Sequence, residues 1–378
     1  MTDQERDRVV YLDHASTTPM RAEARAAMAS FLSDAYGNAS GGHRLARAAR
    51  LALDDAREVL AGLLGASPSE VVFTSGGTEA DNLAVLGTAN GPGTSVCSAV
   101  EHPAVLEACR AVGASVVGVD RLGVVDLDAL AAVLDDKVRL VSVMLVNNET
   151  GVRQPLDSVV SLVRKRAPSA LVHTDAVQAF GWLDVACLTA GADLVSVSAH
   201  KFGGPKGVGA LVVRRQAVLR PILRGGPQEH ERRAGTENVA GAVAMAAAAK
   251  ATARDRESSA RLVRELSTRL VDGILAAVPG VHEAVPRQDR IDAICNLGVE
   301  GVEAEELLVV LDELGICASA GSACASGAIE PSHVLLAMGR TAEEARRHVR
   351  LSLGHATTAA DIDKALVAFP EAVGRLRA

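Results

Sequence analysis

Two side chains of this sequence are suited to covalent chemistry, the amine of Lys201 and the thiol of Cys324. Lys201 lies in AHKFGGPKG, directly after a β-branched run, so that a glycine-rich loop would hold it at the end of a strand. Partial desolvation there lowers the pKa of a lysine and makes its amine a usable nucleophile. Cys324 lies in SAGSACASG, whose small residues predict a loop that can move towards a substrate. Taken alone, a surface lysine and a buried structural cysteine remain open alternatives.

The turn after the predicted strand Val71–Thr74 has the composition of an anion site. Its sequence SGGTE places Gly77 and Thr78 at the start of a helix. Glycines let the backbone approach a ligand closely, and the first N–H groups of a helix are unpaired and favour a negative charge. The turn therefore suits a phosphate, although a plain strand–helix turn with a threonine cap would explain it equally well.

Polar residues follow the other predicted strands too, at the edge where ligands bind in open α/β sheets. They are His102 after 95–99, Asn148 after 138–146, and Asp175 with Gln178 after 170–174. A phosphate site, an acid, an imidazole and an amine together match what pyridoxal 5′-phosphate (PLP) requires. The lysine would bind the cofactor, the acid would keep its ring nitrogen protonated, and the helix N-terminus would hold its phosphate.

The elements that position these residues alternate between β-branched runs and helical stretches through the first two thirds of the chain. This pattern predicts a mainly parallel sheet covered by helices on both faces. Its seven predicted strands are Val71–Thr74, Ser95–Ala99, Ser115–Val119, Val138–Val146, Ala170–Thr174, Asp193–Ser198 and Val208–Val213.

A different pattern begins after Gly235 and predicts a second, smaller α/β domain. A long helix is expected over 237–278, which could break near 254–258, followed by alternating strands and helices. The large PLP-binding domain is predicted to span 15–255, and the small domain to comprise 1–14 and 256–378. In the strand Val349–Leu353, side-chain alternation leaves Arg350 free to point into a cleft.

Composition excludes several classes of protein. Among the 378 residues, 39 Lys and Arg against 46 Asp and Glu give a net charge of −7, which predicts no non-specific binding of nucleic acid. The longest apolar run, Val239–Ala249, is shorter than the ~20 residues of a membrane span, and Met1–Asp7 is polar, so a cytoplasmic protein is expected. Six cysteines without C-x-x-C spacing predict neither a zinc site nor a disulfide framework.

The segment SVSAHKFGGPKG, residues 196–207, resembles the cofactor-lysine motif of cysteine desulfurases, which belong to the class V aminotransferase group with the fold type I PLP architecture. The resemblance covers nearly the whole chain. Further matching motifs are YLDHASTTP at 11–19, FTSGGTE at 73–79, HTDAVQ at 173–178, RAGTEN at 233–238, GSAC at 321–324 and VRLSLG at 349–354. One departure is GGPQEHE at 225–231, where the family often has GGGQERG.

The resemblance implies a role for each candidate residue. The catalytic residues would be Cys324, Lys201 and His102. The cofactor would be held by Gly77, Thr78, His102, Asn148, Asp175, Gln178, Ser198, His200, Lys201 and Thr236. The substrate would be bound by Arg350, Asn148 and Asn38. Thr236 is similar to a residue that reaches the phosphate of the other subunit, so a homodimer is implied.

The implied reaction converts L-cysteine to L-alanine and leaves the sulfur on Cys324 as a persulfide. A sulfur-acceptor protein would then take it, either an iron–sulfur scaffold, a tRNA-thiolation enzyme or a biosynthetic enzyme. No metal site is predicted, although Cys324 could also ligate an iron–sulfur cluster. The alternatives are a selenocysteine lyase, another class V PLP enzyme such as an aminotransferase, and a scaffold without catalysis. The pattern Gly-Ser-Ala-Cys favours the desulfurase, and the complete residue set disfavours the scaffold.

Overall fold

A computed structural model of the protein describes residues 9–89, 93–214, 217–321 and 330–378. Its strands are β1 Val10–Tyr11, β2 Val71–Thr74, β3 Thr94–Ser98, β4 Ser115–Val117, β5 Val138–Ser142, β6 Leu171–Asp175, β7 Leu194–Ser198, β8 Gly209–Val213, β9 Val281–Glu283, β10 Ile294–Val299, β11 Ile316–Cys317 and β12 His348–Ser352. Its α-helices are Ala22–Ala29, Arg44–Leu63, Gly77–Thr88, Pro103–Ala111, Leu127–Val133, Leu156–Arg166, Val185–Leu188, Val239–Ala277, Ala304–Glu313, His333–Ala337, Ala342–Ala345 and Ala359–Arg377.

The largest sheet has seven strands in the order β2-β8-β7-β6-β5-β3-β4. Its neighbours are parallel except for β8, which runs antiparallel to both β2 and β7. Strands β2, β7 and β8 are buried along their whole length, as expected for a sheet covered on both faces. The predicted α/β fold with a mainly parallel seven-stranded sheet is therefore confirmed.

Strand β5 differs most from its predicted length. The apolar run 138–146 forms β5 only as far as Ser142, which pairs with Cys97 of β3. Beyond this point Val143 and Leu145 still donate to carbonyls of β6, but the strand no longer has a partner in β3, which ends at Ser98. The run leaves the sheet while it stays buried, and this carries the chain towards Asn148.

The helix Val239–Ala277 runs without interruption for 39 residues, so the break considered near 254–258 is wrong. The polar residues there mark an exposed surface of the helix rather than its end. Asp255 accepts from Arg21, and Arg254 pairs with Glu23 and Asp255. The alanine-rich first half is mostly buried and packs against the helices Ala22–Ala29 and Arg44–Leu63.

A second sheet lies in the C-terminal part, with the antiparallel order β12-β10-β9. The N-terminal strand β1 pairs in parallel with β11, which brings the first described residues to this part of the molecule. The division at residues 14 and 255 stays a prediction, since the helix Val239–Ala277 passes through position 255. Within the described ranges, no helix is long and apolar enough to cross a membrane.

The divergent segment GGPQEHE forms a turn held by a buried ion pair. Glu229, His230 and Glu231 have φ angles of 48°, 58° and 62°, a left-handed conformation that costs roughly 1–2 kcal/mol for each L-residue. The carboxylate of Glu229 accepts from Arg57 Nη1 at 2.7 Å, from Arg57 Nη2 at 2.8 Å and from the Phe73 N–H at 2.9 Å. These buried contacts fix the turn in a conformation that its residues do not favour.

We expect Glu229→Ala to lower the free energy of unfolding by about 3–5 kcal/mol, because it leaves the Arg57 guanidinium buried without a counter-charge. Urea-induced unfolding would measure the change. The matched control is Glu107→Ala, which removes the exposed pair with Arg110 and should cost no more than about 1 kcal/mol. Equal losses in the two variants would contradict a specific role for the buried pair.

Candidate active site

A cavity of about 840 Å³ lies beyond the carboxyl ends of β5, β6 and β7. The sequence-predicted residues that line it are Gly77, Thr78, His102, Asn148, Asp175, Gln178, Ser198, His200, Lys201 and Arg350. The structure thus brings together residues from six separate segments of the chain. Cys324 lies outside the described residues, although Ser319, Gly321 and Glu330 on either side of it contribute to the wall.

Lys201 follows β7 in a short 3₁₀ turn, and its amine points at the N-terminal segment. Nζ donates to the backbone carbonyls of Ala15 at 2.5 Å and of Ser16 at 2.8 Å. Burial, together with the charge of the nearby Arg350 guanidinium, lowers the pKa of this lysine to about 8. A large fraction of the amine is therefore neutral near pH 8, as a nucleophile or a base requires.

Asp175, the last residue of β6, forms the floor of the cavity above a layer of buried polar groups. Its Oδ1 accepts the Val177 N–H at 2.8 Å, and burial raises the pKa of its carboxyl to about 6. Two residues earlier, the His173 ring lies 3.0 Å from Ser196 Oγ, and burial lowers its pKa to about 3. Burial, together with the Asp175 charge, raises the pKa of Asp81 well above its usual value. Burial therefore disfavours charge on all three of these groups.

His102 forms one wall of the cavity and caps a helix. Its Nδ1 accepts the N–H of Ala104 at 3.1 Å, and Pro103 occupies the first position of the helix Pro103–Ala111. Burial lowers the pKa of His102 to about 4, and the charges of Lys201 and His333 contribute to the shift. The ring is therefore a neutral imidazole with its proton on Nε2, because Nδ1 is used as an acceptor.

The opposite end of the cavity is open to an anion. Gly77 and Thr78 begin the helix Gly77–Thr88, whose first N–H groups have no partner within the helix. A Cβ at Gly77 would lie 3.0 Å from Val177 and 3.5 Å from Ser198, so glycine keeps this corner open. His200, whose Nδ1 lies 3.2 Å from Thr17 Oγ1, completes the corner.

Arg350 in β12 enters the cavity from the other side, as the strand alternation predicted. Nη1 donates to the carbonyl of Asn148 at 2.8 Å, and Nη2 donates to Asp13 Oδ1 and Ser16 Oγ, both at 2.7 Å. The Nε atom is buried and has no hydrogen-bond partner within the described ranges. A buried guanidinium with an unused N–H is suited to a carboxylate.

Two predicted residues do not line this cavity. Asn38 is exposed, and its Oδ1 accepts the backbone N–H of Ser40 at 2.9 Å. Thr236 is also exposed and lies by a separate groove with Arg233 and Glu237. Their roles stay predictions, and for Thr236 the predicted role depends on a second subunit.

Sequence reasoning assigned no role to three residues that shape the site. Asp13 and Ser16 contact Arg350, and they lie in the motif YLDHASTTP, whose polar residues directly after β1 were the available signal. Glu149, which directly follows Asn148, accepts a hydrogen bond from Ser332 Oγ at 2.5 Å. Across the residues that the structure describes, no group of three or more His, Cys, Asp or Glu side chains is placed to bind a metal ion.

Comparison with known proteins adds to this geometry. A family model described as aminotransferase class-V matches residues 10–365. A cysteine desulfurase of Cereibacter sphaeroides is 43% identical over 379 residues, which cover 98% of this chain and 97% of that protein. The chain belongs to the cysteine desulfurase family.

Solved structures agree with membership of the desulfurase family. A NifS-like protein superposes with a TM-score of 0.90 and 33% identity, covering 97% of this chain and all of that one. A structure of SspA in complex with cysteine gives a TM-score of 0.79 and 30% identity, covering 92% of this chain and 99% of that one. The predicted family and PLP fold type are confirmed, and a selenocysteine lyase or another class V enzyme is not favoured.

The titration of Lys201 can be tested in protein freed of cofactor. The rate at which acetic anhydride modifies Lys201, followed by peptide mass spectrometry, should rise with pH to a midpoint near 8. In Arg350→Gln the midpoint should move upward, because the charge that opposes protonation of the amine is removed. A wild-type midpoint near the ordinary lysine value of about 10.4 would contradict the burial of this amine.

Proposed function

We propose that the protein is a PLP-dependent cysteine desulfurase that uses the residues of this cavity. The observation that carries the proposal is the convergence of Lys201, Asp175 and Arg350 on one space. A partly neutral amine, a buried acid and a guanidinium with a free N–H are what a covalently bound pyridine cofactor and an amino-acid substrate require. Membership of the desulfurase family supports the same conclusion.

The residues present fit PLP at both of its ends. The open helix N-terminus at Gly77 and Thr78, with Ser198 and His200 beside it, suits the phosphate. Asp175 would pair with the ring nitrogen, Gln178 would contact the ring hydroxyl, and His102 would stack on the ring face. When bound, PLP supplies an electron sink that stabilises negative charge at the substrate Cα.

Lys201 would carry the cofactor and also move protons. With its pKa lowered to about 8, Nζ can take a proton from the substrate Cα and return one later near neutral pH. Its present acceptors, the carbonyls of Ala15 and Ser16, hold the amine in the cavity while it is free. Arg350 and Asn148 would fix the substrate carboxylate and so orient its Cα towards that amine.

The sulfur-transfer step would use Cys324 as a thiolate. One bond forms between the Cys324 sulfur and the substrate sulfur, and the carbon–sulfur bond of L-cysteine breaks. L-cysteine and the enzyme thiol thereby give L-alanine and an enzyme persulfide, with no external oxidant. A thiol reductant or a sulfur-acceptor protein would then remove the outer sulfur. The acceptor would be an iron–sulfur scaffold, a tRNA-thiolation enzyme or a biosynthetic enzyme.

The protein would act as a homodimer in the cytoplasm. Thr236 lies exposed outside the cavity of its own chain, which suits a residue that completes the phosphate site of a partner. Glu79 at the start of the helix Gly77–Thr88 pairs with Arg233, so the segment that carries Thr236 is anchored to the phosphate corner.

The decisive experiment mixes purified protein with PLP and L-cysteine, with and without a reducing thiol, and measures alanine and sulfide. Wild type should form alanine, and sulfide should depend on the reductant. Lys201→Ala should lose at least roughly 10²–10⁴-fold in rate, because it removes the proton-transfer group. Cys324→Ala should form no persulfide.

Two matched controls come from the chain itself. Lys206 lies in the same glycine-rich loop but not in the cavity, and Cys187 is exposed, so Lys206→Ala and Cys187→Ala should keep near-wild-type rates. Protein loaded with PLP that forms no alanine from cysteine would overturn the proposed substrate. Persulfide that persists in Cys324→Ala would overturn the proposed nucleophile.

A further inference from the structure

The hydrogen bonds of Arg350 leave no complete binding position for a substrate carboxylate. A guanidinium offers two bidentate forks to a carboxylate, one from Nε and Nη2 and the other from Nη1 and Nη2. Both forks need an N–H of Nη2. In this structure Nη2 has two acceptors, Asp13 Oδ1 and Ser16 Oγ, and it has only two hydrogens. A bidentate carboxylate must therefore displace one of them.

We propose that Asp13 is a resident counter-ion that the substrate carboxylate replaces on Arg350, which makes Asp13 a specificity-determining residue. The inference rests on the proposed role of Arg350 in binding that carboxylate. The exchange substitutes one carboxylate for another, so Arg350 stays paired throughout. A ligand without a carboxylate has nothing to offer in exchange and leaves the Arg350–Asp13 pair in place.

Exposure decides which partner can leave. The Arg350 side chain is 3% exposed and the Asp13 side chain is 19% exposed. A buried guanidinium without a counter-charge is costly, whereas a carboxylate at the cavity edge can regain water when it is released. Ser16, which bridges Asp13 and Arg350, is itself exposed and can also be rehydrated.

The position of Asp13 gives the released carboxylate a second effect. Its charge already favours the protonated form of Lys201, while the charge of Arg350 opposes it. With a substrate carboxylate on Arg350, the Asp13 charge is no longer offset by its own ion pair. Asp13 is thus placed to stabilise positive charge on the Lys201 amine after that amine has taken a proton.

An isosteric variant distinguishes exchange from a permanent structural pair. In Asp13→Asn the amide oxygen can still accept from Arg350 Nη2, but the negative charge is gone. The buried guanidinium then lacks a counter-charge until a ligand supplies one, so a carboxylate should bind more tightly. If Asp13 only held Arg350 in position, the same variant would bind a carboxylate no better than wild type, or less well.

The experiment uses the PLP-loaded enzyme and two ligands that differ only at the carboxyl group, L-alanine and L-alaninamide. Their dissociation constants are read from the cofactor absorbance, and their ratio measures the carboxylate contact. In Asp13→Asn the preference for L-alanine should rise roughly three- to tenfold, the range for a partly exposed, hydrogen-bonded ion pair. Any effect of the lost Asp13 charge on the Lys201 amine acts on both ligands and cancels in their ratio.

Arg350→Gln tests the binding of the carboxylate by Arg350 separately from the exchange with Asp13. A loss of the preference for L-alanine in Arg350→Gln supports the role of Arg350, and an unchanged preference overturns that role itself. If Arg350→Gln loses the preference but Asp13→Asn does not raise it, the exchange is overturned while the role of Arg350 stands.

Should Asp13→Asn fail to fold or to hold the cofactor, Ser16→Ala tests whether the resident acceptors of Arg350 Nη2 compete with the substrate carboxylate. It frees one hydrogen of Nη2 at an exposed position and leaves the Asp13 charge in place. The preference for L-alanine should again rise, by less than in Asp13→Asn, because only a neutral acceptor is removed. A preference that falls or stays at the wild-type value in Ser16→Ala overturns the proposal.

Discussion

The cost of removing charged groups from water constrains the whole site. Lys201, Arg350 and Asp175 are each drawn into a space where a charge without a partner would be strongly destabilising. The pKa of Lys201 is lowered and its amine donates to two backbone carbonyls, whereas Arg350 forms an ion pair with Asp13. Among the described residues, the Val177 N–H and the Lys201 amine favour the charge of Asp175, but burial outweighs them and raises its pKa above the usual aspartate value. A ligand that supplies a cation to Asp175 and an anion to Arg350 relieves both costs together.

The fold satisfies this constraint because one face of the large sheet changes from apolar to polar residues along its strands. Because alternate residues share a face, Leu194, Ser196 and Ser198 of β7 point the same way, and they pass from apolar to polar towards the carboxyl end. Strand β6 repeats the change with His173 and Asp175. The beginning of each strand therefore belongs to the core, and its end belongs to the cavity. The layer between them disfavours charge, because burial raises the pKa of Asp81 and lowers the pKa of His173 to about 3.

Sequence reasoning found the residues whose position follows from local pattern. Asp175 ends one β-branched run and Lys201 follows another. The side-chain alternation of β12 directs Arg350 towards the cavity. The reasoning did not find the partner of Arg350, because Asp13 is 337 residues away and the pairing depends on how the N-terminal segment meets β12. It also considered a helix break near Arg254, because exposed charges within a helix resemble a helix end when the tertiary contacts are unknown. The raised pKa of Asp81 could not be predicted either, since it depends on burial and on the proximity of Asp175.

The N-terminal segment contacts both cationic side chains of the site, Arg350 and Lys201. It is registered on β12 by hydrogen bonds between Leu12, His14 or Ala15 and Ser352, two residues from Arg350. The same segment offers the carbonyls of Ala15 and Ser16 to Lys201, which comes from the large sheet. A displacement of β12 relative to β7 would therefore change the hydrogen bonds of both cationic side chains at once. Arg350, which would bind the substrate carboxylate, and Lys201, which would move the proton, are thus linked through the backbone of the N-terminal segment rather than through direct contact.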